Sequence, residues 1–461
     1  MNKNGLLSFI LPHKFINADF GVGIRQFIFD NKALRYLVSF GAEQVFSDAS
    51  VYTCIVGLSY GNSNFNYMKV KPLEIQEGNN TFTEIQIDSL SDVARWSFQT
   101  LEDSNVIAKL NKQPLQFKDI TKACSQGTVS MGDDLYMLKG KIEGDYFVGF
   151  SEQIKQIVKF EKEIMKPVLK GEDIKRYAPL DNSYWEIYPH HLVNGKTVPY
   201  EESEIMELFP LTYEYLLPFK SELVDKKIKY KTNEKYWYAL HRSREIAMFE
   251  KPKIITAEIS LGCNMTYDTE NLYHNTKCYT IQFNEVFERY TLAYLAILNS
   301  KVLWFYLSQT GYTLRGGFFC FKTKYLEPFP LPDLSAMDNF ENAEFLSILT
   351  NKMLTLNSQL QEKRSRFLRR LSENLEGVKI TTSLQTFDKM TFAEFTAELR
   401  KQKIRLSLSQ QDEWEDYFNS RSKECQGLIA QISATDNEID QRVFDLYGLT
   451  PEEREIVIKA G

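Results

Sequence analysis

Basic and aromatic residues are interleaved between residues 220 and 253. This stretch holds ten lysines and arginines against five carboxylates, within a chain of 461 residues whose net charge is −6. Cations neutralise phosphates and aromatic rings pack against sugars or bases, so the composition is typical of a nucleic-acid surface. A solvated charged face would have the same composition. If the stretch does bind nucleic acid, we expect Arg242 and Arg244 to make contacts.

Two further runs place cations beside glycine. The run TLRGGFFCFKTKY contains paired glycines that let the backbone approach a ligand closely, and an arginine there could bind a guanine edge, worth roughly 1–3 kcal/mol of discrimination. The run LKGEDIKRY is similarly basic. A structural hairpin and a solvated turn are the alternative interpretations. The candidates from both runs are Arg315, Lys322, Lys324, Lys170, Lys175 and Arg176.

The chain has no recognisable active site. It lacks the Pro-Pro dipeptide that the catalytic loop of an adenine methyltransferase requires, and it has no GxSxG, HExxH or P-loop motif. The one GxG near the start, at Gly21 and Gly23, is better interpreted as a helix-start turn. The six cysteines form no CxxC pair. We therefore predict no catalytic residue and no metal site.

The first segment, to about residue 70, alternates strand and helix patterns. The runs LLSFILP, LRYLVSFG and YTCIVGLSYG are strand-like, and residues 20–29 have helical spacing. This alternation predicts an α/β layer with a mostly parallel sheet. Because so few strands cannot form a sheet covered on both faces, we expect the segment to be the tail of a larger α/β domain.

The composition and predicted secondary structure of the rest of the chain change twice. Residues 72–128 are polar, as expected of a linker, and the region up to 332 is rich in strands, turns and aromatics, ending in FPLPDL. We predict an α/β part at 1–70, a linker and binding domain at 71–335, and a helical part at 336–461.

Seven-residue apolar repeats mark the helical part. Such repeats predict a helical hairpin or coiled coil, with a long helix from about residue 410 to 447 that stops at Gly448. Thr391 with Glu394, and Thr450 with Pro451 and Glu453, have the spacing of helix starts. The repeats are Met353, Leu360 and Phe367, and then Phe418, Cys425, Ile432, Ile439 and Leu446.

We expect a cytoplasmic protein without a membrane partner. The N-terminus has too short an apolar stretch for a signal peptide. The most apolar later stretch, residues 292–307, is interrupted by Asn299, Ser300 and Lys301, so it predicts a buried helix instead of a membrane span.

Five runs in series resemble the target-recognition domain of type IIG restriction–modification enzymes and TaqI-like adenine-specific DNA methyltransferases. The closing run EIDQRVFDLYGLTPEE also resembles the end of such proteins and of type I specificity subunits. The resemblance implies an α+β target-recognition domain, followed by the helical region, that binds double-stranded DNA and directs adenine methylation, with cleavage left open. The runs are DITKACSQGTVSMGDDLYML, MKPVLKGEDIKRY, FEKPKIITAEIS, YLAILNSKVLWFYL and LRGGFFCFKTKYLEPFPLP.

The N-terminal segment resembles the end of the family's methyltransferase domain. SFILPHKFIN is similar to the strand after the catalytic loop, and VFSDASVYTCIVGL to a later aromatic motif. The resemblance implies that residues 1–70 are the remnant of a Rossmann-like methyltransferase sheet, and that Phe46 stacks on a flipped-out adenine. Stacking is worth roughly 1–3 kcal/mol against an extrusion cost of a few kcal/mol. An ordinary core aromatic is the alternative for Phe46.

The family's donor-binding motif, catalytic loop and nuclease have no counterpart in this sequence. We therefore expect no cofactor in this chain, with S-adenosylmethionine bound by a separate methyltransferase polypeptide or a missing N-terminal half. Residues 80–332 would bind the major groove. Two alternatives remain: a free-standing specificity subunit, like half of a type I subunit, and a helical interaction protein that binds no nucleic acid.

Overall fold

Every helix that the structure describes is too short or too polar to cross a membrane. The computed structural model describes residues 2, 5–41, 43–46, 51–76, 81–91, 93, 96, 98, 100–182, 184–311 and 313–460.

The N-terminal part begins with a strand, a helix and two further strands, as the sequence predicts. Gly21 is the N-cap of the first long helix, and a Cβ at this position would lie 2.2 Å from the Phe15 carbonyl oxygen. The GxG turn is therefore a helix start. The elements are β1 (Leu7–Pro12), α1 (Val22–Asp30), β2 (Leu34–Ser39), β3 (Thr53–Leu58), β4 (Asn64–Lys69), α2 (Pro72–Gln76) and β5 (Thr83–Gln86).

These five strands form one sheet in the order β1-β3-β2-β4-β5. The prediction of a mostly parallel sheet is wrong, because β3 returns between β1 and β2 and pairs antiparallel with both; within this sheet, only β2 and β4 pair in parallel among the described strands. β5 joins the far edge, and Ile85, Ile87 and Trp96 complete the core of this part. The N-terminal fold thus continues beyond residue 70.

The middle region is rich in strands, as predicted. Its first elements are α3 (Leu101–Leu110), β6 (Leu115–Gln116), α4 (Phe117–Ile120), β7 (Thr121–Gln126), α5 (Asp133–Tyr136), β8 (Met137–Glu143), β9 (Tyr146–Ser151), β10 (Gln156–Glu161), β11 (Met165–Leu169), β12 (Tyr184–Ile187), β13 (His190–Val193), β14 (Lys196–Pro199), α6 (Glu202–Leu208), α7 (Pro210–Leu216) and α8 (Lys220–Lys229). It continues with α9 (Ile246–Phe249), β15 (Lys253–Ala257), β16 (Ile259–Ser260), β17 (Met265–Asp268), β18 (Tyr273–His274), β19 (Cys278–Phe283), α10 (Thr291–Asn299), α11 (Lys301–Thr310), β20 (Thr313–Leu314), β21 (Phe318–Cys320), α12 (Thr323–Leu326) and β22 (Pro330–Leu331).

The largest sheet has six strands in the order β10-β9-β8-β12-β11-β18. Since successive residues of a strand point to opposite faces, the sheet has two distinct sides. Leu138, Phe147 and Phe160 lie on the inner side, in a buried cluster shared with helices α6, α7 and α8. The opposite side of β8, β9 and β10 is open to solvent, and we call it the outer sheet face.

A second sheet of four strands, ordered β17-β15-β19-β7, shares a hydrophobic core with α10 and α11. The stretch predicted as one buried helix is two, because Ser300 has an extended backbone (ψ 164°) between them. Both helices are buried, as the apolar sequence predicts.

A helical hairpin completes the chain, as predicted. The heptad residues Met353 and Phe367 of its first long helix and Phe418 and Ile439 of its second are buried. One end of the hairpin shares a core with α10 and α11, and the far end has a core of its own. Both predicted capping boxes are present. The helices are α13 (Phe340–Asn374), α14 (Thr382–Gln385), α15 (Phe392–Lys401), α16 (Leu408–Leu446) and α17 (Pro451–Lys459).

Candidate nucleic-acid interface

Arg242 and Arg244 lie in the loop after α8, beside the segment that follows β7. The backbones of Arg242 and Val129 exchange two hydrogen bonds, of 3.0 and 3.2 Å. Arg244 has a left-handed backbone (φ +62°), and its Nε donates to the Gly127 carbonyl at 2.9 Å. Burial and the neighbouring Arg242 charge lower the pKa of Arg244. Neither guanidinium has a carboxylate partner among the described residues, so both charges stay uncompensated.

Lys277 and Lys322 share one carboxylate. Lys322 Nζ lies 2.8 Å from Glu258 Oε1, and Lys277 Nζ lies 3.4 Å from Oε2 of the same residue. The hydrogen bond to Glu258 raises the pKa of Lys322. Two cations facing one largely buried carboxylate leave a net positive charge at this point. No sequence signal marks Lys277, because it is a single lysine in the turn before β19.

The remaining candidates of the glycine-containing run fall nearby. Lys324 is exposed, with Nζ 4.9 Å from the centre of the Tyr325 ring. Gly316 and Gly317 both have left-handed backbones, with φ of +79° and +80°. The side chain of Arg315 lies outside the described part of the structure.

The three candidates of the run LKGEDIKRY have different environments. Lys170 Nζ lies 3.4 Å above the centre of the Tyr184 ring, and Lys175 is exposed. The Arg176 guanidinium instead pairs with Asp436 of α16 and donates to the Asn299 carbonyl. Arg176 therefore holds the helical hairpin against the middle region, and this internal use removes it from the candidate contacts.

Three of the remaining candidates, Arg242, Arg244 and Lys322, lie on segments that meet at the turn preceding β19. The Gly127 amide, next to the Arg244 contact, donates to the Cys278 carbonyl, and a Cβ at Gly171 would lie 3.1 Å from the Lys277 carbonyl oxygen. The turn thus joins three runs that are distant in sequence. We call this cluster the cationic rim; it consists of Arg242, Arg244, Lys277 and Lys322.

Most lysines of the basic segment at 220–253 are buried or form ion pairs within the protein. Lys227 and Lys253 are buried: Lys227 donates to the Leu240 carbonyl, and Lys253 pairs with Asp268. Burial lowers the pKa of Lys227 to about 8. Three further lysines form ion pairs, and Trp237 and Tyr238 lie in the core. The paired lysines are Lys220, Lys226 and Lys235.

Phe46 lies in the connection from β2 to β3 and is 46% exposed, so the alternative of a core aromatic is excluded for the described structure. A cavity of about 450 Å³ lies at the edge of the sheet where β1, β2 and β4 end, and Phe46 is not among its lining residues. His13, Ser39 and Lys69 line it from these strand ends, and Gln309 of α11 lines the opposite side. The cavity therefore lies between the N-terminal sheet and the middle region.

Potential metal-ligand side chains are not clustered within the described ranges. No group of three or more histidine, cysteine, aspartate or glutamate side chains is arranged there to hold an ion. The six cysteines are free, and burial raises the pKa of the Cys54 and Cys263 thiols to about 12.

Three family models match successive parts of the chain. Residues 1–46 match the Eco57I restriction-modification methylase, residues 166–331 the TaqI-like C-terminal specificity domain, and residues 339–443 a domain of unknown function (DUF8810). The cationic rim lies inside the second match.

Two curated relatives match most of the chain. The type II restriction enzyme and methyltransferase RM.Eco57I of Escherichia coli is 27% identical over 400 residues, which cover 79% of this chain and 39% of that protein. The type II methyltransferase M.BanIII of Aneurinibacillus aneurinilyticus is 22% identical over 375 residues, covering 73% and 62%. The chain thus spans less than two thirds of either relative.

Solved structures with similar folds include two restriction–modification enzymes. The type IIL enzyme MmeI, solved in complex with DNA, has a TM-score of 0.45 at 11% identity, covering 95% of this chain and 50% of MmeI. The type IIG endonuclease BpuSI has a TM-score of 0.35 at 12% identity, covering 98% and 48%.

The matched segments define a class of proteins that combine a methylase-related α/β part, a specificity domain and a helical part. The chain is homologous to type II restriction–modification enzymes, and residues 166–331 form a TaqI-like C-terminal specificity domain.

Proposed function

We propose that this chain is the DNA-recognition part of a type II restriction–modification system and directs adenine methylation by a methyltransferase part. The observation that carries the proposal is the cationic rim inside the specificity domain. Lys277 and Lys322 share one carboxylate there, Glu258, and the guanidinium groups of Arg242 and Arg244 beside them have no carboxylate partner among the described residues. A surface with this excess of positive charge binds phosphates and releases counterions.

The proposed DNA contacts follow from exposure and pairing in the structure, except Arg315, which is retained from the sequence interpretation. The rim residues would contact phosphates, and an arginine among them could also bind a guanine edge. Lys277 is added to the contacts that the sequence predicts. Arg176 is omitted because its guanidinium donates hydrogen bonds to Asp436 and to the Asn299 carbonyl. The proposed contacts are Lys170, Lys175, Arg242, Arg244, Lys277, Arg315, Lys322 and Lys324.

The N-terminal part supports a relationship to a methyltransferase domain. The match of residues 1–46 to the Eco57I restriction-modification methylase supports the Rossmann-like remnant that the sequence resemblance implies. Phe46 would stack on the flipped adenine, since its ring is exposed.

The methyl donor does not fit the GxG turn of this part. Gly21 packs on the Phe15 carbonyl, and the buried Arg25 side chain donates to the carbonyls of Phe15, Ala18 and Val93 beneath the turn. This packing leaves no cradle for a ligand. S-adenosylmethionine would therefore be bound by a methyltransferase part outside these residues, and no step of its chemistry is assigned to them.

Salt-dependent DNA binding tests the proposal. The chain is titrated into a labelled random 30-base-pair duplex at several salt concentrations. Replacing Arg242 and Arg244 by alanine removes two phosphate contacts and should reduce the slope of log affinity against log salt by about 1.8. Lys235→Ala is the matched control, because Lys235 is exposed but paired with Glu201.

Two results would count against the proposal. A chain that does not bind duplex DNA even at low salt would not be a recognition module. A double-alanine variant with unchanged slope and affinity would instead remove Arg242 and Arg244 from the interface.

A further inference from the structure

The outer sheet face carries cations that no sequence run groups together. Across four strands, one row of facing residues consists of Ile157, Phe150, Lys139 and Tyr184. The next row places Lys159 opposite Val148. Residues directly opposite in antiparallel strands share a face, so these side chains form one surface.

Aromatic rings hold three lysines of this face. Lys159 Nζ lies 3.7 Å from the centre of the Tyr146 ring, and Lys170 and Lys139 lie 3.4 and 5.2 Å from the Tyr184 ring. A cation–π contact positions an ammonium group without cancelling its charge, unlike an ion pair. None of the three lysines has a carboxylate within 4 Å among the described residues, so the face presents three positive charges.

Three carboxyl groups on or beside this face are paired or mostly protonated, whereas Glu161, opposite Tyr146, accepts hydrogen bonds from Leu211 and Thr212 and has no ion pair among the described residues. Glu143 pairs with Lys141 at 2.9 Å, and Glu152 pairs with Lys155. At the covered end of the same face, burial raises the pKa of Glu186 to about 8, so its carboxyl group is mostly uncharged at neutral pH. The net charge of the face is therefore positive.

We propose that the outer sheet face binds the phosphate backbone of duplex DNA through Lys139, Lys159 and Lys170. The inference rests on the proposed function and extends its contact surface to residues N-terminal of the matched specificity domain. Lys170 links the two surfaces, because the next residue, Gly171, packs against the Lys277 carbonyl of the cationic rim turn.

The geometry suits a duplex that lies across the strands. Neighbouring strands are about 4.8 Å apart, so β8 and β10 hold their lysines roughly 10 Å from each other, within reach of one duplex. Phe150 and Ile157 are 40% and 76% exposed between them and could pack against sugars. The face thus combines phosphate-binding cations with apolar contact area.

The test compares three variants with the unchanged chain on a labelled 30-base-pair random duplex and on one of its single strands. The first variant carries Lys139→Gln, Lys159→Gln and Lys170→Gln. The second replaces the same lysines by arginine, which keeps the charge. The third, Lys235→Gln, removes an exposed lysine that is paired with Glu201. Circular dichroism melting checks that each variant is folded.

We expect the glutamine triple variant to reduce the salt slope of duplex binding by about 2.7 and to weaken binding at 0.1 M salt by about 500-fold. The arginine triple and Lys235→Gln should match the unchanged chain. If the chain binds duplex but the glutamine triple behaves like Lys235→Gln, loses only single-strand binding, or reduces the salt slope by only about 0.9, as Lys170 alone would, the sheet-face proposal is overturned and the proposed function stands. If the unchanged chain binds no duplex, both fail.

Discussion

The basic segment at 220–253 and the outer sheet face hold their lysines in opposite ways. In the segment, Lys253 is buried against Asp268, and Lys235 is paired with Glu201. On the sheet face, Lys159 and Lys170 lie over aromatic rings and keep their charge. The lysines of the segment are close in sequence, but most of them are paired or buried, whereas those of the face are dispersed in sequence and keep their positive charge.

The difference shows what makes a cation available to a ligand. An ion pair cancels the charge, and burial commits the side chain to the protein interior, so both turn a basic residue into a structural one. A ring below an ammonium group fixes its position and leaves the charge for a phosphate. We therefore expect the paired and buried lysines of the segment to contribute to stability. The sheet face and the cationic rim, which includes Arg242 and Arg244 of the same segment, should determine binding.

The largest expected effect is on stability, at Lys253. Replacing it by methionine leaves the Asp268 carboxylate buried and unpaired, and removing one partner of a buried pair costs about 3–5 kcal/mol. Urea unfolding measures the loss. Lys251→Met is the matched control, since Lys251 is two residues away and exposed. Equal unfolding midpoints for the two variants would refute a structural role for Lys253.

A second effect concerns the covered end of the outer sheet face, at Glu186. Its carboxyl accepts from Thr128, and burial raises its pKa to about 8, above the ordinary 4.5. The folded state keeps this proton between these pH values while the unfolded state loses it, so the Glu186 contribution to stability should fall as pH rises from 4.5 to 8. Each unit of the shift is worth about 1.4 kcal/mol.

Glu186→Gln should remove this part of the pH dependence of thermal unfolding, because the amide does not titrate. A variant that keeps the full decline between pH 4.5 and 8 would show that Glu186 is not the group responsible.

The smallest expected effect is on DNA binding, in the basic segment. Replacing Lys220, Lys226 and Lys235 by glutamine removes three lysines whose charges are already paired. The salt slope of duplex binding should change by less than the roughly 0.9 expected for one lost phosphate contact. A reduction near 2.7, equal to that expected for the sheet face, would erase the distinction between the two regions.

Local patterns predicted the helical part well. Capping boxes at Thr391 and Thr450 and the heptads of α13 and α16 act within a few residues, so sequence spacing was sufficient. The strands β1, β2 and β3 were also predicted. The parallel or antiparallel pairing of these strands was not predicted. The position of β3 between β1 and β2 depends on the chain connections between the strands and not on the sequences of the strands.

The candidate site was only partly predictable, because it also depends on contacts between residues that are distant in sequence. Arg242 and Lys322 follow from local composition, but the partner that occupies Arg176 is Asp436, 260 residues away. The outer sheet face depends on strand register, which places Lys139 beside Tyr184. Residues that become neighbours only through long-range pairing leave no signal in a run of sequence.

Amine-reactive labelling of the lysines, read by mass spectrometry with and without duplex DNA, tests the account most directly. DNA should protect Lys139, Lys159 and Lys170 on the sheet face and Lys277 and Lys322 on the rim. Lys235 should react equally in both states, and the buried Lys227 and Lys253 should stay unlabelled throughout. Protection confined to the basic segment, with the rim and the sheet face labelled as in free protein, would contradict it.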